Sequence, residues 1–308
     1  MIQATTLTKR FGKTTALDSL TATVPEGVVY GLIGSNGAGK STLLRLIAGI
    51  YRAEAGELTI GGEPVWENPR IKAQIALIPD ELYFLPQANL STMARLYRNS
   101  FPGFDQARLN ELIELFGLNP YANLNTFSKG MRRQAAIILA LSRRPRWLLM
   151  DEVFDGLDPI MRNLVRKLIY TDVIDRRATA VISSHSLREL EDTCDQLALL
   201  HQGGIIFESE MADLNTQLFK LQVAFGADSP PSLDAALFAP AQLNLVNFSS
   251  LGRVANLIVR GDREAAVAAL DVLTPSPALV EVLPLTLEEV FLFEMEAIGY
   301  HFGEVLDK

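Results

Sequence analysis

The stretch Gly34-Ser35-Asn36-Gly37-Ala38-Gly39-Lys40-Ser41 constrains this chain more than anything else in it. It follows the apolar run Val28 to Ile33, which reads as a strand, and leads at once into Leu43 to Ile47, which reads as an apolar helix. In that strand, loop, helix setting, G-x-x-x-x-G-K-S lets backbone N–H groups curl inward around phosphate oxygens, with the positive end of the helix dipole behind them. Lys40 is then placed for the β- and γ-phosphates, and Ser41 for Mg²⁺. The plain alternative, a glycine-rich turn with an exposed lysine, does not need the strand and helix on either side. The chemistry indicated is that of a nucleoside triphosphate; the loop does not say what the released energy drives.

Further apolar runs recur between helical patterns: Ile75 to Ile78, Trp147 to Met150, Ala180 to Ser183 and Leu197 to Leu200. Uninterrupted strands of this kind predict an α/β fold around a sheet covered on both faces. Ile2 to Thr8, Leu20 to Val24 and Glu57 to Ile60 partly alternate and are punctuated by Pro25-Glu26-Gly27 and Gly61-Gly62, which predicts an antiparallel N-terminal sheet beside the parallel one. Over about residues 82–142 the pattern turns helical, with Leu109, Leu112, Ile113 and Phe116 on one face before Gly117, so an inserted helical subdomain is expected. A hairpin over Ile205 to Phe207 closes this first domain, residues 1–215. Residues 216–308 then read as a small α+β C-terminal domain. It has a loop over Ala227 to Ser232, strands over Leu243 to Val246 and Val254 to Val259, and a helix over Glu264 to Leu273. Its last helix opens with Thr286 and Glu289 at capping-box spacing, with Leu287, Val290 and Phe291 as its apolar stripe.

Composition narrows the function. Lys and Arg total 28 against 36 Asp and Glu, and a net charge of −8 gives no general attraction for a phosphate backbone, so no nucleic-acid partner is expected. The single Cys194 has no internal partner for a disulfide and reads as structural. The N-terminal residues lack the apolar core of a secretion signal, and no run approaches the ~18 apolar residues that span a bilayer. The chain is therefore expected to need another protein to reach across a membrane.

Trp147-Leu-Leu-Met150 ends in Asp151-Glu152, two carboxylates at the strand edge where open α/β sheets bind ligands. Asp151 suits Mg²⁺ and Glu152 suits the proton of an attacking water; a solvated acidic strand end is the bland alternative. Between these motifs lies Thr126-Phe-Ser-Lys-Gly-Met-Arg-Arg-Gln134, a polar, flexible entry to the apolar run Ala135 to Leu141. Ser128 fits a helix N-cap, Gly130 permits close backbone approach, and the helix terminus favours an anion.

With GSNGAGKS, FSKGM, LLMDE, GLD and SSH in this order, the chain resembles the ATP-binding cassette (ABC) ATPases over about residues 1 to 215. FSKGM stands where that family usually has LSGGQ and resembles the cassettes of drug and bacitracin exporters. The resemblance implies a P-loop NTPase fold of ABC type, with a mixed sheet core, antiparallel N-terminal β subdomain and helical subdomain. It implies an ATP hydrolase using ATP and Mg²⁺. Nucleotide contacts fall to Phe11, Gly34, Ser35, Asn36, Gly37, Ala38, Gly39, Lys40, Ser41 and Thr42, with Phe11 stacking on adenine unless it is a core or turn aromatic. Glu152 and His185 become the catalytic pair, and Ser41, Asp80 and Asp151 the metal contacts. Ser128, Lys129, Gly130 and Asp158 are expected to meet the nucleotide held by a second cassette packed head to tail. His201 and His301 stay unassigned.

The sequence departs from the family pattern at three places. Where members commonly have glutamine after the strand Ile75 to Pro79, this chain has Asp80-Glu81, with Gln87 further on. Asp80 is the better candidate, and its charge beside the γ-phosphate is expected to sharpen the requirement for Mg²⁺. Val153 replaces the usual proline after Glu152, and Asp155 the usual small polar residue before Gly156. The function implied is the ATP-hydrolysing subunit of an ABC transporter, energising export through a separate multi-spanning membrane permease. It would pair with a second ABC ATPase subunit, identical or not, at the cytoplasmic face of the plasma membrane. The alternative is a soluble ABC ATPase acting on ribosomes or DNA, although such relatives usually carry two cassettes or a long coiled-coil insertion. For the C-terminal domain, binding a regulatory ligand, reinforcing the dimer and covering apolar surface all stay open.

Overall fold

The computed structural model describes residues 1–212, 218–226 and 233–297. The expected loop Ala227 to Ser232, the expected boundary at 215, the Leu287 side chain and His301 lie outside what is described. Contacts divide the chain into two compact units that meet in sequence between Glu208 and Ser209.

In chain order the first unit opens with β1 (Ile2–Phe11), β2 (Thr14–Val24), β3 (Val29–Ile33), α1 (Lys40–Ile47), β4 (Ala55–Ile60), β5 (Glu63–Pro64), α2 (Pro69–Lys72) and β6 (Ile75–Ile78). It continues through α3 (Leu90–Ser100), α4 (Gln106–Phe116), α5 (Lys129–Ser142), β7 (Trp147–Asp151), α6 (Pro159–Arg176), β8 (Thr179–Ser184), α7 (Leu187–Glu191), β9 (Gln196–His201) and β10 (Gly204–Glu210). One sheet has the order β2-β1-β4-β5 and is antiparallel at each junction, as the alternation of its strands requires. A second sheet has the order β10-β9-β3-β8-β7-β6, with β6, β7, β8, β3 and β9 parallel. Every residue of β3, β7 and β8 is buried, which is why these strands read as unbroken apolar runs. The core joins the sheets through α1: Leu43, Leu44 and Ile47 pack in one cluster with Ile2, Leu7 and Leu20 on one side and Leu32 and Leu149 on the other.

The helical subdomain is built by local signals that the sequence states clearly. Asp105 caps α4, its carboxylate accepting from Arg108 N at 2.9 Å, and Gly117 ends the helix at φ +67°. Leu109, Leu112 and Phe116 form its buried stripe. Ser128 caps α5 by accepting from Met131 N at 3.3 Å, and Ala135, Ile137, Ile138 and Leu141 are buried.

The second unit contains β11 (Leu218–Ala224), β12 (Leu245–Leu251), β13 (Val254–Arg260), α8 (Arg263–Ala269), β14 (Leu279–Leu283) and α9 (Leu287–Ala297). Its sheet has the order β12-β13-β11-β14, antiparallel throughout. Phe219, Leu221 and Val223 alternate onto the face that packs with Leu257, Val259 and Leu270. The helix expected over Glu264 to Leu273 stops at Ala269 and tightens into a 3-10 turn over Leu270–Val272. At the start of α9, Thr286 Oγ1 accepts from Glu289 N at 3.2 Å while Glu289 Oε2 accepts from Thr286 N at 2.9 Å, a complete capping box.

Candidate functional site

The order β3-β8-β7-β6 sets the carboxyl ends of these parallel strands side by side, which brings together the phosphate loop after β3, His185 after β8, Glu152 after β7 and Asp80 after β6. The loop has no room for side chains at its anchor points. A Cβ on Gly34 would lie 2.4 Å from the Leu200 carbonyl oxygen; Gly39 sits at φ +114°, and a Cβ there would lie 2.6 Å from the Ala16 carbonyl oxygen. The loop is thereby held between the ends of β9 and β2. Because Gly39 caps α1 without a side chain, the first-turn N–H groups of that helix are left for an outside acceptor.

Lys40 is only 6% exposed, and its Nζ donates to Gly34 O at 2.6 Å and Ser35 O at 3.3 Å. Nζ also lies 3.5 Å from Glu152 Oε1. Around this ammonium is an open hollow of about 180 Å³, whose lining includes Asn36, Ser41, Thr42, Asp80 and Glu152. A cation folded back across a ring of backbone carbonyls and N–H groups matches a polyphosphate far better than a neutral ligand. Gly34, Ala38, Asp151 and His185 are not part of that lining.

Glu152 stands between two partners. Its second oxygen is 2.9 Å from His185 Nδ1 and 3.4 Å from the His185 backbone N. Its φ of +49° is a left-handed conformation that non-glycine residues rarely adopt and that clusters at functional sites. The backbone is held there by Glu152 N donating to Ser183 O at 3.1 Å. Asp151 is 2% exposed, and Ser183 Oγ donates to its Oδ1 at 2.5 Å. Ser184 Oγ donates to Glu189 at 2.8 Å, fixing the turn that carries His185, whose ring is 58% exposed.

The donor set suits magnesium. Ser41 hydroxyl and the Asp80 and Asp151 carboxylates are hard oxygen donors, and among the described residues no group of His, Cys, Asp and Glu forms a ready-made cage. Mg²⁺ is usually held by one or two carboxylates completed by substrate phosphates, and Ser41 and Asp80 line the hollow where such phosphates would lie.

The other site candidates form a separate group, none of which lines the hollow. Ser128 and Lys129 are exposed at the start of α5. A Cβ on Gly130 would lie 2.5 Å from the Gly156 carbonyl oxygen, so this loop lies against the Asp155-Gly156 turn of its own chain. Lys129 pairs there with Asp155, and its ammonium holds the Asp155 carboxyl below the usual range. Asp158 caps α6, its Oδ1 accepting from Ile160 N at 2.9 Å and Met161 N at 3.0 Å. Val153 is fully buried. Phe11 also stands apart from the hollow: its ring, 45% exposed, meets Tyr51 edge-on at 5.3 Å and lies 5.2 Å from Lys9 Nζ. Gln87 is exposed on the segment after β6.

The sequence reading missed Arg133, which is buried and bonded to Asp80. Its signal was readable: position 133 lies four and eight residues before Ile137 and Leu141 on the buried stripe of α5, where an arginine needs a partner.

The chain is similar to known proteins along most of its length. The family profile described as ABC transporter matches residues 17–155. The bacitracin transport ATP-binding protein BcrA of Bacillus licheniformis is 34% identical over 213 residues, 68% of this chain and 69% of that protein. The ABC transporter ATP-binding protein YtrB of Bacillus subtilis (strain 168) is 27% identical over 292 residues, 95% of this chain and 97% of that protein. Among solved structures, the ATP-binding subunit of an ABC transporter superposes with a TM-score of 0.64 at 26% identity, covering 70% of this chain and 92% of its own.

Proposed function

Because this chain belongs to the ABC transporter family, as an ATP-binding and ATP-hydrolysing subunit, we propose that two such cassettes close head to tail around ATP and drive export through a separate membrane permease. The observation that carries the reading is the split of the site residues into two groups. Lys40, Asp80 and Glu152 line one hollow and His185 is bonded to Glu152, while Ser128 and Lys129 stand exposed at a helix start, with half-buried Gly130 beside them, and none of these three lines it. A loop of that kind, with a capping serine and the favourable end of a helix dipole, is built for a phosphate that its own chain does not bring to it. A second copy brings it.

In the proposed step, a water oxygen attacks the γ-phosphorus and the bond to the bridging oxygen of ADP breaks. Glu152 takes the water proton on the oxygen facing the hollow, and His185 holds the other carboxylate oxygen through Nδ1. Lys40 and the α1 N–H groups hold the phosphate oxygens as charge shifts onto them. Bound Mg²⁺ would be held by Ser41 and Asp80, with Asp151 reaching it through water, and would supply neutralisation of phosphate charge. The lost proton and the separated phosphate then leave nothing to hold the pair closed, and the cassettes reopen.

Among the described residues no helix is long and apolar enough to cross a membrane; in the proposed arrangement the permease supplies the pathway and this chain acts on it from the cytoplasmic face. Exporter function is favoured by the relatives: besides BcrA, the daunorubicin/doxorubicin resistance ATP-binding protein DrrA of Streptomyces peucetius is 33% identical over 226 residues, 70% of this chain and 67% of that protein. Affinity purification of the full chain from detergent-solubilised membranes tests the partner. A multi-spanning membrane protein recovered in stoichiometric amount is expected; recovery with ribosomes or DNA and no membrane protein would overturn the proposal.

A further inference from the structure

Asp80 brings a negative charge into the hollow that takes the triphosphate, and the chain answers it with a cation from the helical subdomain. Arg133 on α5 is 1% exposed. Its Nη1 donates to Pro79 O at 2.8 Å and its Nη2 to Asp80 Oδ1 at 3.0 Å. The neighbouring Arg132 donates to Leu82 O at 2.5 Å and lies over the Phe84 ring at 5.9 Å. Two successive arginines, one turn past Ser128, thus grip residues 79–84. A planar guanidinium that holds a carbonyl and a carboxylate together fixes the direction of both, which a lysine cannot do. A charge so deeply buried also needs its partner, so the contact is not an incidental surface pair.

We propose that Arg133 is a positioning and charge-compensating residue of the ATP site: it orients Asp80 and cancels its charge, so that the triphosphate meets an oriented oxygen donor inside a neutral pair. The inference rests on the reading of the hollow as the ATP site. It reverses what Asp80 alone leads one to expect. An unpaired carboxylate there would repel ATP whenever metal was scarce; with Arg133 bonded to it, that repulsion is offset at its source. The sharp dependence on Mg²⁺ expected from the sequence belongs to a chain that has lost Arg133, not to this one.

The test is calorimetric titration of the purified full chain with ATP, in Mg²⁺ and in EDTA. Charge compensation gives the two halves of the pair opposite signs. Arg133→Met is expected to weaken ATP binding in EDTA about tenfold, and about threefold or less in Mg²⁺, since at an effective dielectric near 20 a unit charge roughly 10 Å from the phosphates changes affinity on the order of tenfold. Asp80→Asn, which leaves the arginine uncompensated, is expected to tighten binding in EDTA by about threefold to tenfold on the same grounds. The double variant should return to within about threefold of the parent. A purely structural contact would weaken binding in both single variants and give no rescue, and that result overturns the proposal. Should Arg133→Met fail to fold, Asp80→Asn decides alone: tighter binding in EDTA supports charge compensation, and unchanged or weaker binding overturns it. Lys40→Ala separates the two levels. If it binds ATP as well as the parent, the reading of the hollow falls; if it loses ATP while the Arg133 and Asp80 signs fail to oppose, only this inference falls.

Discussion

Glu152→Gln is expected to lower ATP turnover by about 10²- to 10⁴-fold, the usual contribution of a positioned general base, with ATP still bound. The amide keeps the shape of the side chain and an oxygen for the His185 contacts now made at 2.9 and 3.4 Å. It does not keep a basic oxygen for the proton of water. It also removes a negative charge 3.5 Å from Lys40, which frees that ammonium for phosphate rather than weakening the grip. Single-turnover phosphate release beside equilibrium ATP binding separates the effects. Turnover within threefold of the parent would remove Glu152 from the chemistry.

Lys40→Ala should remove ATP binding itself. Truncating one member of a buried, hydrogen-bonded charge pair costs about 2–5 kcal/mol, and each 1.4 kcal/mol is about tenfold in affinity, so the loss should exceed about twentyfold. Lys40 also ties the loop together through the Gly34 and Ser35 carbonyls, so the variant gives up loop order as well as charge. Lys40→Arg is no remedy, because a planar guanidinium does not reproduce the compact ammonium's bonds to the Gly34 and Ser35 carbonyls. Thermal unfolding with and without ATP reads the result: the parent gains stability from bound ligand, and the variant should gain none at the same concentration. An undiminished ATP-dependent shift would contradict the assignment.

Much of this was legible because the sequence states it locally. The phosphate loop carries its own strand and helix, and Ile75 to Ile78 is a strand with the bounds its apolar run predicts. The stripe of α4 and its stop at Gly117 were equally plain. What the sequence could not state is distance between elements. The Lys129–Asp155 and Arg133–Asp80 pairs join positions 26 and 53 residues apart, and no periodicity encodes them. The left-handed turn at Glu152 is likewise imposed from outside, by the Ser183 carbonyl of the neighbouring strand. In the second unit, β11 alternates Phe219, Leu221 and Val223 against Lys220 and Gln222 and was there to be read; β14, exposed along much of its length at the sheet edge, has no such contrast.

The composite site is tested most directly by the association state of the full-length Glu152→Gln chain, alone and beside its co-purified membrane partner, with ATP and Mg²⁺. Two chains should associate on adding ATP, and the association should vanish when Lys40→Ala is added and weaken sharply when Ser128→Ala is added. Single chains that bind ATP yet stay apart in both settings, or a pair indifferent to Ser128, would contradict it.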